Sequence, residues 1–258
     1  MESVLDYHTA RALLDWQVEL GATEAILDAP VNRYEIPEII KKVQAAEPVA
    51  VATKPSVDPV NIAQTAAKAC ADLTALKAAI AEFEHCPIKR GARSLVFGDG
   101  HPNARIMIIS ETPDRDEDRI GKPFVGRPGQ LLDKMLSAIE MDRSAENPQQ
   151  AVYTSNILPW RLPQSREPSP EDFKMMRPFV QRHVELIDPD VIVLMGNTAC
   201  HGVLGKRGIT RLRGEWAEAF GKPILPMFHP SYLMKNPNMK REAWADLLAL
   251  KAKLLPLS

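Results

Sequence analysis

Four short strand candidates punctuate the chain beyond residue 90, at residues 105–110, 152–156, 191–195 and 223–227. Each is rich in β-branched or aliphatic residues and ends abruptly in polar residues, glycine or proline, the pattern of a buried strand. Between and after them, apolar positions return at helical spacing over about 129–140, 170–188, 197–205 and 240–254. Strands alternating with helices predict crossover units. The expected fold is therefore α/β, a central parallel four-stranded twisted sheet with helices on both faces, filling residues 86–258. Ligands of such sheets bind where strand C-termini open onto loops. The first run does so most sharply: Ile106-Met107-Ile108-Ile109-Ser110 empties into Glu111-Thr112-Pro113-Asp114 and a run of acids.

Upstream the pattern changes. Residues 3–20 place Leu5, Leu13, Leu14, Trp16 and Leu20 at roughly helical spacing, and Gly21 supplies a stop, which predicts an amphipathic helix. From about 25 to 60 the chain is rich in Ala, Val and Pro, with Pro30, Pro37, Pro48, Pro55 and Pro59 spaced through it, as in an extended linker. An Ala-rich helix with Leu73, Leu76, Ile80 and Phe83 along one side is expected over 61–84. Residues 1–85 thus read as a helical N-terminal extension with an Ala/Pro-rich linker.

Composition narrows the classes. No apolar run approaches the roughly 20 residues of a membrane span, and the N-terminus lacks the basic start and apolar centre of a secretory signal; a cytoplasmic monomer is expected. Three widely spaced cysteines, Cys70, Cys86 and Cys200, form neither a CxxC pair nor a disulfide framework. A formal charge of -1 gives no general attraction to a polyanion, but Lys206, Arg207, Arg211 and Arg213 put four positive charges within eight positions, and such a strip can hold phosphates.

The loops after the four predicted strands carry a resemblance. Ser110-Glu111-Thr112-Pro113-Asp114, then Gly121-Lys122-Pro123-Phe124-Val125-Gly126-Arg127-Pro128-Gly129-Gln130-Leu131-Leu132-Asp133, resembles the GEAPG…GxPFVGxAGxLLD pattern of the uracil-DNA glycosylase superfamily, family four. Ser155-Asn156 through Arg161 to Arg166 is similar to its TNxxxxRPPxxR pattern, and His229-Pro230-Ser231-Tyr232-Leu233-Met234 to its HPxxLL motif. The resemblance covers about residues 86–255.

It implies an enzyme that flips uracil out of DNA and hydrolyses its bond to the sugar, leaving an abasic site. Phe124 would stack on the base, with Gly126 beside it, and Asn156 would read the uracil edge. His229 would donate to O2 as negative charge gathers there. Glu111, Thr112 and Glu117 would line the water site, the base being Glu111, Glu117 or none, since a threonine hydroxyl only orients a water. The DNA-binding set would be Arg127, Arg161, Arg166, Lys206, Arg207, Arg211, Arg213, Ser231, Tyr232, Leu233 and Lys235, with Tyr232 to Met234 offering an apolar wedge and uracil-containing DNA as the partner.

Family four commonly holds a four-iron, four-sulfur cluster on four cysteines. Here Cys86 keeps the first position, while Lys89, Trp160 and Met176 stand at the others. One thiolate cannot hold a cubane, so no iron-sulfur cluster and no metal is expected, with Trp160 and Met176 as an apolar plug. Thr112, Ser165 and the lost cysteines leave an alternative, a non-catalytic uracil- or damaged-DNA-binding protein of the same fold.

Overall fold

The computed structural model describes residues 6–21, 58–163 and 166–254. The expected linker at 25–60 falls almost wholly outside them, as does Ser165. The chain divides into two units, Met1–Lys54 and Pro55–Ser258. In the first, α1 (Tyr7–Glu19) starts where the Asp6 carboxylate accepts the Thr9 N–H, an N-cap that satisfies one orphan donor of the first turn.

The second unit is built on a sheet. β2 (Ile106–Ser110), β3 (Val152–Asn156), β4 (Val191–Met195) and β6 (Lys222–Met227) are parallel, and β1 (Asp99–Gly100) and β5 (Ala217–Ala219) close the edges antiparallel, in the order β1-β3-β2-β4-β6-β5. The four expected strands form the parallel centre. The sheet has six strands because two- and three-residue edge segments carry no alternation that a sequence pattern could register.

Side-chain alternation sends each strand's residues to two cores. Met107, Ile109, Ile192, Leu194 and Ile224 join the helices α2 (Pro59–Ala69), α3 (Leu73–Glu82) and α6 (Pro170–Ile187) on one face. Ile106, Ile108, Val191, Val193 and Leu225 meet α5 (Gly126–Ser137) and α10 (Lys240–Leu254) on the other. Strands buried on both faces read as continuous apolar runs, which is why β2, β4 and β6 were legible, whereas β3 is buried throughout but apolar only at Val152 and Tyr153.

The single helix expected over 61–84 is two. α2 ends at Cys70, which is extended, and Asp72 caps α3 by accepting the Ala75 N–H. Ala63, Ala67, Leu76, Ile80 and Phe83 are buried in the same core as Phe179 of α6. Against a boundary expected at residue 86, these helices pack as part of the α/β unit, because their apolar stripes complete one face of it.

After β2 the chain moves to β3 on one side, then crosses back over β2 to β4 on the other. The loops leaving β2 and β4 therefore diverge, and the crevice between their C-terminal ends is where an open sheet of this kind presents a site.

Candidate functional site

The acidic run after β2, expected to be a loop, is α4 (Arg115–Ile120). Asp114 caps it, accepting the Asp116 and Glu117 N–H groups, and Glu117 returns the bond by accepting the Asp114 N–H at 2.8 Å. This capping box closes a turn that the charge run conceals. Asp118 is buried as well and accepts the Arg93 and Ser94 N–H groups at 2.8 and 3.1 Å.

Glu117, expected at the water, instead commits its side chain to the backbone. The second carboxylate oxygen accepts the Phe124 N–H at 2.5 Å, and Arg143 donates to the Phe124 carbonyl at 3.3 Å. Phe124 thereby holds φ 51°, a left-handed conformation that a phenylalanine adopts only when its surroundings impose it. Gly129 makes room for this: a Cβ there would stand 1.8 Å from the Phe124 carbonyl oxygen. Burial pushes the Glu117 carboxyl up to about 7, against two backbone donors that lower it.

The imposed backbone turns the Phe124 ring, 2% exposed, onto His229, with centroids 5.5 Å apart and planes at 17°. His229 follows β6 and caps α9 (Pro230–Lys235), its Nδ1 accepting the Ser231 N–H at 3.1 Å. A neutral ring that accepts at Nδ1 carries its proton on Nε2. That Nε2 lies 3.0 Å from the Ser110 hydroxyl at the end of β2. Burial lowers the His229 pKa while the Glu111 and Asp114 carboxylates raise it, and the net shift is downward, so the imidazole is a neutral donor.

Asn156, at the end of β3, is register partner of Ser110 and 4% exposed. Its Nδ2 donates to the Glu111 carbonyl at 3.0 Å, while its Oδ1 is buried without a partner among the described residues. Glu111 spans the crevice: Oε1 accepts the Thr198 N–H of α7 (Asn197–Leu204) at 3.0 Å. Gly196 permits the approach, since at its φ of 100° a Cβ would come within 2.5 Å of the Glu111 carboxyl. Thr112 is half-buried beside it, and Gly126, exposed at φ 69°, opens α5. Phe124, Asn156, His229 and Glu111 thus converge, and the structure adds Ser110, Thr198 and Arg143. Arg143, remote in sequence from Phe124, had no local signal; Ser110 was visible only as a polar residue ending an apolar run.

The residues assigned to DNA divide. Arg213 in fact grips Asp246 of α10, 1% side-chain exposed, through Nε at 2.8 Å and through Nη2, and donates to the Glu242 carbonyl. It pins α10 and is not available to a phosphate. Arg166 pairs with Asp172 at 2.9 Å near the start of α6, and Arg207 with Glu167 at 3.4 Å. Leu233, an expected wedge, is 1% exposed and packs with Phe228 and Ala243; Tyr232 stacks on Phe228 at 4.9 Å. Met234 is the exposed apolar residue of this turn, at 37%. Ser231 is half-buried and spends its N–H on His229, Arg161 is half-buried, and Lys206, Arg211 and Lys235 are exposed. Near Met234, a surface hollow of about 250 Å³ is lined by Arg127, Gln130, Leu131, Lys134 and Lys240.

An iron-sulfur cluster does not fit the donors present. Cys86 is buried, with Trp160 and Met176, in an apolar cluster that includes Ile88, Leu162 and Phe179. Desolvation pushes its thiol up to about 11, away from the thiolate that a cluster ligand must be. Lys89 turns outward to Glu84, and Cys200 is buried in α7 with its thiol raised to about 12.

The Uracil DNA glycosylase superfamily profile matches residues 97–248. A type-4 uracil-DNA glycosylase of Thermotoga maritima is 38% identical over 156 residues, spanning 58% of this chain and 77% of its own. One from Archaeoglobus fulgidus is 32% identical over 170 residues, 62% and 82% of the two chains. A DNA polymerase of Bacillus phage SP01 is 31% identical over 173 residues, 67% of this chain but 17% of the polymerase. From the crevice at the ends of β2, β3 and β6 and from these matches, the chain belongs to the uracil-DNA glycosylase superfamily and is similar to its type-4 members.

Proposed function

We propose that the protein hydrolyses the N-glycosidic bond of uracil flipped out of DNA, releasing the base and leaving an abasic site. One observation carries this: the Asn156 Oδ1 is buried and has no partner among the described residues. An orphaned acceptor costs roughly 1–3 kcal/mol, and a ligand N–H relieves it. The uracil N3–H supplies such a donor, and the second Nδ2 hydrogen is left for O4. Cytosine presents the opposite pattern, an acceptor at N3 and a donor at C4, and would leave both sides unpaired.

In this reading Phe124 stacks the base and His229, neutral, polarises the O2 side. As the C1′–N1 bond breaks, its electron pair departs with the base and spreads to O2, where a preorganised donor acts most strongly. Water adds to C1′ and the released base takes a proton from solvent. Glu117 is a positioning residue for Phe124, both its oxygens being committed to backbone donors. Glu111, with one oxygen held by Thr198, has the other to orient the water beside Thr112. Arg127, Lys134 and Lys240 around their hollow, with Lys206, Arg211 and Lys235, supply phosphate contacts, and Met234 takes the place assigned to Leu233 as the wedge. The enzyme works without a cluster or metal, Trp160 and Met176 filling the cluster's volume.

The test is release of free uracil from a uracil-containing oligonucleotide, with a thymine oligonucleotide as control. Uracil release with none from thymine supports the proposal. Preferential binding of the uracil strand without release would make the protein a uracil-DNA-binding member of the fold, and neither would overturn both.

A further inference from the structure

Ser110 stands where the resembling pattern has glycine, and the consequence is a hydroxyl in the middle of the site. Its side chain is 2% exposed, and its Oγ lies 3.0 Å from His229 Nε2. Because Nδ1 of that ring accepts from the Ser231 backbone, Nε2 is the protonated nitrogen and Ser110 Oγ is the acceptor. The serine's own proton then has no acceptor among the described residues. Across the β2–β3 ladder its register partner is Asn156, whose Oδ1 is the orphaned acceptor. In register, side chains of neighbouring strands stand on the same face and within reach of one small ring. A spare donor beside a spare acceptor is the complement of one particular edge: an acceptor oxygen next to an N–H, as O2 and N3–H are arranged in uracil.

We propose that Ser110 is a catalytic residue of this enzyme, its hydroxyl donating to uracil O2 while His229 Nε2–H donates to Ser110 Oγ. The inference rests on the glycosylase function proposed above. The histidine acts through the serine, and bonds in series polarise one another, so charge arriving at O2 is spread over two donors. No proton changes owner: the electron pair of the broken C1′–N1 bond leaves with the base, and both donors keep their hydrogens throughout.

The experiment is single-turnover release of uracil and of 5-fluorouracil from otherwise identical oligonucleotides by the wild type and by Ser110→Ala. Fluorine stabilises the departing anion, so it needs less help at O2. The expected result is a loss of about 10²-fold on uracil, a distinctly smaller loss on 5-fluorouracil, and unchanged affinity for DNA without uracil. Equal losses on the two bases, or rates within about twofold of wild type, would overturn the proposal; a merely structural serine would not change the ratio between bases. Should the wild type release no uracil, the hydrolysis reading falls by itself. Ser110 is then read from the preference for uracil-containing over thymine-containing DNA, which Ser110→Ala should narrow and which an idle serine would leave intact.

Discussion

At Phe124 a left-handed backbone, an acid and a stacked ring are tied into one device. Its cost is visible in Glu117, whose carboxyl is raised to about 7 by burial. A group raised on folding gives stability that is fully present below its unfolded value and is lost as pH rises through the folded one. For Glu117 the loss runs from about pH 4.5 to about pH 7 and corresponds to about 3 kcal/mol. Glu117→Gln cannot titrate and keeps one of the two acceptors. In urea unfolding it should be destabilised most at pH 4.5, with the gap to wild type narrowing by about 3 kcal/mol at pH 8. A gap independent of pH would show that Glu117 is not the titrating group. The same residues show what a sequence can disclose at this scale. Asn156 and His229 were found because each ends a strand, and Phe124 because its motif names it. The Glu117–Phe124 bond and the Arg143 contact were not, since nothing in a run of acids distinguishes a solvated carboxylate from one folded back on its own chain.

Among the elements, basic residues that look alike in sequence behave oppositely. Arg213, half-buried, pairs with the buried Asp246, so Arg213→Ala leaves an unpaired buried carboxylate and should cost about 3–5 kcal/mol, seen as a lower melting temperature. Lys134 and Lys240 are exposed at the hollow near Met234, and replacing both with alanine should leave stability within about 0.5 kcal/mol. Their loss should instead flatten the dependence of log Kd for duplex DNA on log salt by about 0.9 per contact. An unchanged slope would remove these lysines from the DNA path. The central strands and long helices were legible because burial on two faces writes continuous apolar runs and helical stripes. The edge strands and α4 were not: the first are too short to carry a period, and the second begins in a capping box that reads as mere charge. The break at Cys70–Asp72 was hidden by alanines, which suit a continuous helix until Asp72 caps a new one.

For the whole molecule, the packing of α2 and α3 decides where the enzyme begins. Removing residues 1–54 leaves the unit Pro55–Ser258 entire, and its melting temperature and uracil release should match the full chain. Starting at residue 86 strips Leu76, Ile80 and Phe83 from the core, each worth roughly 1.5–3 kcal/mol of burial, and should give insoluble or unfolded protein. Soluble, active protein from residue 86 would contradict the packing. No described helix is long and apolar enough to cross a membrane. The cysteine losses predict colourless protein without stoichiometric iron; absorption near ~400 nm with about four irons per chain would contradict the apolar plug.

All these scales meet at the orphaned Asn156 amide. The most direct measurement is therefore the single-turnover rate of uracil release from DNA by wild type and by Asn156→Ala at saturating enzyme. The account predicts release by the wild type, none from a thymine control, and a fall of at least about 10²-fold in the variant, whose fold is intact by circular dichroism. Equal rates in the two proteins would contradict it.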